Sequence, residues 1–135
     1  MELIFRLQAP AALVFEYLTD MQLFASVHPV ISRIAPQGNG RYQVYETLQL
    51  GFIPVSFTYP VSLISDPAAQ TVLMQATVMG VTHIEMKFVI TTDSGGTVVS
   101  ESVRFRTPLP VKWLMRRVFR RLHQVLFDNI GQAAR

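Results

Sequence analysis

The chain has 135 residues, enough for one domain with a real core and too few for two. Half of the residues are hydrophobic and only 16% are charged, a balance that calls for a large core or an apolar-lined pocket. Cysteine is absent, which excludes disulfides, thiolate catalysis and thiolate metal sites, and a formal charge of +3 takes its meaning from where the basic residues lie.

Leu3, Phe5 and Leu7 alternate with Ile4, Arg6 and Gln8, the period-two pattern of a strand that ends at Ala9-Pro10. Pro10 suits the first turn of a helix, and Leu13, Val14, Tyr17 and Leu18 carry helical spacing. Asp20 is placed to cap a second short helix through Met21, Leu23 and Phe24, which His28-Pro29 ends. Six strands follow, over about 30–36, 41–50, 55–65, 71–79, 81–92 and 97–106. Turn residues separate them at Gly38-Asn39-Gly40, Asp66-Pro67, Met79-Gly80 and Asp93-Ser94-Gly95-Gly96. Connections this short imply an antiparallel meander.

Pro108 and Pro110 break the sheet, and from Val111 the period changes to that of a helix. Val111, Leu114, Met115, Val118, Leu122, Val125, Leu126 and Ile130 share one arc, while Lys112, Arg116, Arg117, Arg120 and Arg121 share the other. The spacing predicts a long amphipathic helix with Trp113 on its basic side. No apolar run approaches the ~20 residues of a membrane span, and the first ten residues lack the apolar stretch and cleavage site of a secretion signal. A single domain over 1–135 in the cytoplasm is the expectation.

Two residues violate the strand pattern. Glu46 falls on the face of Tyr42, Val44, Leu48 and Leu50, and Glu101 on that of Val99, Val103 and Phe105. An ionised carboxylate in a dry core is prohibitively costly, so each must be paired, hydrogen-bonded, protonated or turned toward a cavity. By the same parity Val55, Phe57, Tyr59, Val61 and Leu63 share that side. So do Val72, Met74, Ala76 and Val78, and Ile84, Met86, Phe88 and Ile90. Methionine, phenylalanine and tyrosine form a wall that can reshape around an apolar guest.

The order of one strand, two short helices, six strands and a long helix resembles the helix-grip fold of the START-related superfamily of lipid-transfer domains and polyketide cyclases or aromatases. The pieces that carry the resemblance are Ala12-Leu13-Val14-Phe15-Glu16-Tyr17-Leu18-Thr19-Asp20, His28-Pro29 and Glu101-Ser102-Val103-Arg104-Phe105. It implies an α+β domain in which a curved antiparallel sheet of about seven strands wraps around the C-terminal helix. An apolar small molecule, lipid-like or aromatic polycyclic, would lie between sheet and helix. Glu46, Glu101, Tyr42 and Tyr59 are then the candidate polar contacts, and Phe57, Met74, Met86 and Phe88 the candidate wall. In this fold the strands of Glu46 and Glu101 lie far apart across the sheet, so a carboxylate pair sharing one proton is not expected. The resemblance also permits cyclase or dehydratase chemistry on a polyketide-like substrate, although no residue set demands it.

Other chemistries find little support. His28, His83 and His123 have no metal-ligand neighbours at helical or strand spacing, so no metal and no cofactor is expected. His83 shares an outward face with Glu85 and Lys87, and His28, which the resemblance places near the mouth of the cavity, reads first as a helix-terminating residue. The glycine-rich segments join strand to strand and match no phosphate-binding form, and no G-x-S-x-G sequence occurs. The basic helix face fits a solvated surface, an anionic membrane or an acidic partner. Nucleic acid fits poorly, because no aromatic residues interleave with the basic ones.

Overall fold

The computed structural model describes residues 1–133, with the side chain of Leu50, read above as part of the inner face, outside what is described. β1 (Glu2–Leu7) leads through α1 (Ala11–Thr19) and α2 (Met21–Val27) into β2 (Ile31–Gly38), β3 (Arg41–Leu50) and β4 (Ile53–Asp66). β5 (Thr71–Val78), β6 (Thr82–Asp93) and β7 (Gly96–Arg106) complete the meander, and α3 (Lys112–Ala133) follows. The strands make one antiparallel, curved sheet in the order β1-β7-β6-β5-β4-β3-β2, as the helix-grip arrangement requires.

Local chemistry accounts for the joints. Asp20 Oδ1 accepts hydrogen bonds from the backbone N–H groups of Gln22 (3.0 Å) and Leu23 (3.2 Å), so one side chain caps α2 while ending α1. At the β6–β7 turn Gly96 has φ +122°, and a Cβ there would stand 2.6 Å from the Leu7 carbonyl oxygen, so only glycine lets β1 approach this hairpin. Pro36 sits in β2, an edge strand where a missing N–H costs no ladder bond on the open side.

β4 divides into two parts. Residues 53–60 pair with β3 alone, and pairing with β5 begins only at Val61↔Ala76. Pro54 and Pro60 both lie in the part with a free side, where proline is tolerated. This half of β4 has no second neighbour, and its inward residues Val55, Phe57 and Tyr59 are only half-buried.

The opposite flank is tightly packed. Leu3, Phe5, Val72, Phe88, Val99 and Val103 from the sheet meet Val14 and Leu18 of α1 and Leu126, Phe127 and Ile130 of α3, all buried. Phe5 stacks on Phe127 with ring centroids 4.5 Å apart, and Asn129 Nδ2 donates to the Val27 carbonyl at 2.8 Å, which ties the end of α3 to α2.

The packed seam of α3 is not the arc read from its sequence. Leu114 and Val125, assigned there to the apolar side, are exposed, while Phe119, His123 and Phe127 turn inward with Met115, Leu126 and Ile130. Counting aliphatic residues alone rotated the inferred face, because three seam positions hold rings, one of them a histidine. The basic residues Lys112, Arg116, Arg117, Arg120 and Arg121 are exposed as expected, and so is Trp113. No helix among the described residues is long and apolar enough to cross a membrane.

Candidate functional site

Both glutamates lie on the inner face. Glu46 pairs across to Ile31 and Phe57, and Glu101 to Leu3 and Phe88. Their surroundings differ. Glu101 is fully buried at 0% exposure, and its Oε1 lies 2.6 Å from His123 Nδ1. The ring donates its Nδ1–H to the carboxylate, which leaves Nε2 for any further partner. Glu101 Oε2 is sealed from solvent and has no hydrogen-bond partner. A buried carboxylate oxygen without a donor is a standing cost, which the Oε1 contact offsets only in part.

Rings enclose His123. Phe119 lies 4.8 Å away between centroids, Phe88 6.3 Å, and His28 6.4 Å with its ring edge-on. His28 closes α2 by donating its backbone N–H to Phe24, and its Nδ1 accepts the Val30 N–H at 3.3 Å. That bond assigns the proton of the neutral ring to Nε2. Burial, and secondarily the charge of a protonated His123, lower the pKa of His28 to about 3, so it is neutral at physiological pH.

Glu46 is half-buried and accepts a hydrogen bond from the Tyr59 hydroxyl at 2.7 Å. Burial raises its pKa, opposed by the Tyr59 bond and by charge on His123. Burial first, then the neighbouring Glu46, hold the Tyr59 phenol well above its ordinary value, so it remains a donor. Three strands separate Glu46 from Glu101 in the sheet, yet curvature brings both into electrostatic reach of His123. The two carboxylates share no proton: Glu46 is bonded to Tyr59 and Glu101 to His123.

The other candidates divide by depth. Met74 and Phe88 are fully buried parts of the core, while Tyr42, Phe57, Tyr59 and Met86 are half-buried on the inner face. Phe57 stacks beside Tyr59 at 5.9 Å, and Phe105 packs edge-on against Phe119 at 5.1 Å. An open cleft of about 670 Å³ lies where β5, β6 and β7 meet the start of α3. Inner-face Ala76, Ile84, Val103 and Phe105 line it together with Lys112 and Arg116; Glu46, Tyr59 and His123 do not. His83 is exposed and bonds Thr77 on the outer face at 3.2 Å.

Sequence reasoning assigned no role to His123 and preferred a helix end for His28 over a functional place at the cavity mouth. The signal for His123 was present: it lies four residues from both Phe119 and Phe127, on their face of the helix. A histidine among helical aromatics, facing a strand that carries an inward glutamate, marks a paired site.

A curved antiparallel sheet gripping a long helix, with polar groups gathered on its inner face, defines a helix-grip domain. The family described as polyketide cyclase / dehydrase and lipid transport matches residues 5–135, and the chain belongs to that family. Solved structures repeat the fold. It is similar to Ara h 8.0201 at 19% identity and TM-score 0.80, covering 99% of this chain and 95% of that one. It is similar to the Zhui aromatase/cyclase from Streptomyces sp. R1128 at 19% identity and TM-score 0.69, covering 99% and 92%. It is also similar to a START superfamily protein from Mycobacterium smegmatis at 16% identity and TM-score 0.74, covering 98% and 97%. No curated protein matches the chain in sequence.

Proposed function

We propose that the protein binds a hydrophobic small molecule, lipid-like or aromatic polycyclic, between the sheet and α3. One observation carries this reading: the inner face of β3 and β4 is apolar but incompletely covered, leaving Tyr42, Phe57 and Tyr59 half-buried on the two strands that carry and adjoin Glu46, with Met86 of β6 half-buried farther along the same inner face. Apolar walls would supply affinity through desolvation, while Glu46 and His123 Nε2 would fix orientation. Membership of a family that spans lipid transport and cyclase chemistry supports the same class of ligand. Gentle-ionisation mass spectrometry of the freshly purified protein tests it. A stoichiometric apolar adduct, released by solvent extraction, is expected; a protein that emerges empty and takes up no apolar dye would overturn it.

A cyclase-like reading rests on the Glu101–His123 pair, in which a carboxylate fixes the imidazole tautomer and leaves Nε2 free to take a proton. It requires turnover that His123→Gln abolishes while ligand affinity persists.

A second feature supports docking on an anionic membrane as the route of ligand entry. The β3–β4, β5–β6 and β7–α3 connections all point to the same end of the meander, and each carries or adjoins exposed apolar residues: Phe52 and Ile53 on the first, Met79 and Val81 on the second, Leu109 and Trp113 on the third. Lys112, Arg116, Arg117, Arg120 and Arg121 begin at the same end. Apolar tips beside cations match the boundary of an anionic bilayer. Sedimentation with vesicles should show binding that requires anionic lipid and is lost in Arg116→Glu/Arg120→Glu. Equal binding to neutral vesicles, or none, would refute the docking reading.

A further inference from the structure

The inner face carries carboxylates without cations to match them. Every lysine and arginine among the described residues is exposed. Inside lie Glu46, Glu101 and two imidazoles. The Nδ1–H of His123 is committed to Glu101, and any charge on that ring is matched by the carboxylate it touches. His28 is held neutral by burial and by its neighbour, with Nδ1 occupied by the Val30 N–H. Glu46 is the carboxylate on the half-covered side, and Tyr59 is the one side-chain donor bound to it among the described residues. A ligand carboxylate entering here would meet Glu46 with no guanidinium or ammonium to compensate, a like-charge contact inside an apolar shell. A ligand hydroxyl would instead donate to Glu46 and bring no charge of its own to desolvate.

We propose that the inward end of the ligand is an alcoholic or phenolic hydroxyl that donates to Glu46, and that this end of the interior rejects carboxylates such as fatty acids. The proposal rests on the binding reading above and names the ligand class for that same site. It also separates the two ends of the interior. Anionic groups fit better in the cleft beside the start of α3, where Arg104, Arg106, Lys112 and Arg116 outnumber Glu85 and Glu46 takes no part.

The test uses three ligands of one shape, naphthalene, 2-naphthol and 2-naphthoate, each displacing the neutral dye N-phenyl-1-naphthylamine from the whole protein at pH 7. The expected order is naphthol tightest, with naphthoate weaker than naphthol by about tenfold or more, since one charge-assisted hydrogen bond corresponds to that ratio. Glu46→Leu should bring naphthol to the affinity of naphthalene. Glu46→Gln, which keeps an acceptor and removes the charge, should retain the naphthol preference while relaxing the rejection of naphthoate. Naphthoate binding the unaltered protein as tightly as naphthol would overturn the proposal. So would a naphthol preference that survives Glu46→Leu. If the dye itself fails to bind, the binding reading falls; if it binds and the three ligands are not distinguished, only the present inference falls.

Discussion

Replacing His123 with phenylalanine keeps a ring of similar size among Phe88, Phe119 and His28 but removes the one donor to Glu101 among the described residues. The carboxylate is then at 0% exposure with both oxygens unpartnered, since Oε2 has none already. Breaking a buried pair from one side costs about 3–5 kcal/mol, because a charge is stranded. The reverse change, Glu101→Leu, leaves an imidazole that can stay neutral with one unsatisfied N–H, costing about 1–3 kcal/mol. Glu101→Leu/His123→Phe strands neither group and, by replacing the pair with apolar side chains, should fall within about 1–2 kcal/mol of the starting protein. Equilibrium urea unfolding at pH 7 measures all four species. The expected coupling is about 2–7 kcal/mol, the double variant being more stable than His123→Phe alone. Additive losses, with the double variant as unstable as the sum of the singles, would refute the account of Glu101 and His123 as one buried unit.

Two further outcomes follow from protonation. His28 has a folded pKa of about 3 against an ordinary 6.5, so the unfolded chain binds its proton first as pH falls. Below pH 6.5 this group therefore removes stability, about 2 kcal/mol between pH 6.5 and 5 at about 1.4 kcal/mol per unit. Urea midpoints should fall over that range less steeply in His28→Gln than in the unaltered protein, and equal slopes would contradict the buried, neutral ring. Glu46 has the opposite sense. Its folded pKa is raised, so its favourable contribution exists below the ordinary carboxylate range and is lost as pH rises through the folded value. Glu46→Gln should accordingly raise the unfolding midpoint at pH 7, with the gain shrinking toward pH 4; a loss at pH 7 would mean that the bond from Tyr59 outweighs the burial cost.

The fold was legible because each element carries its own period. Alternation in residues 41–50 and 97–106 placed Glu46 and Glu101 on the inner face, and the strand registers put them there. Asp20 and His28-Pro29 marked the ends of α2 for reasons of hydrogen bonding that operate within a few residues. The rotation of α3 was not legible in the same way. Its inward face depends on which side chains fill the space above β1 and β7, and Phe119, His123 and Phe127 fill it where an aliphatic count had placed Leu114 and Val125. The partner of Glu101 was lost with that rotation, because residues 101 and 123 meet only when helix angle and sheet curvature are both known. Tyr59 as the partner of Glu46 was recoverable, since adjacent strands with a short connection keep their neighbours close. Pro54 and Pro60 also held an unread message: two prolines on one strand mark a stretch without a second neighbour, which is where the inner face is left open.

The most direct measurement is methyl NMR of the protein labelled at its methionines, titrated with N-phenyl-1-naphthylamine. Met86 and Met115 stand half-buried on the inner face of the sheet and of α3, Met74 is buried beside Met86 on the neighbouring strand, and Met79 is exposed on a connection. If an apolar ligand enters between sheet and helix, the Met86 and Met115 methyl signals shift in a saturable way while Met79 stays in place. Shifts confined to Met79, with Met86 and Met115 unmoved at saturating dye, would contradict the central claim that the interior is the binding site.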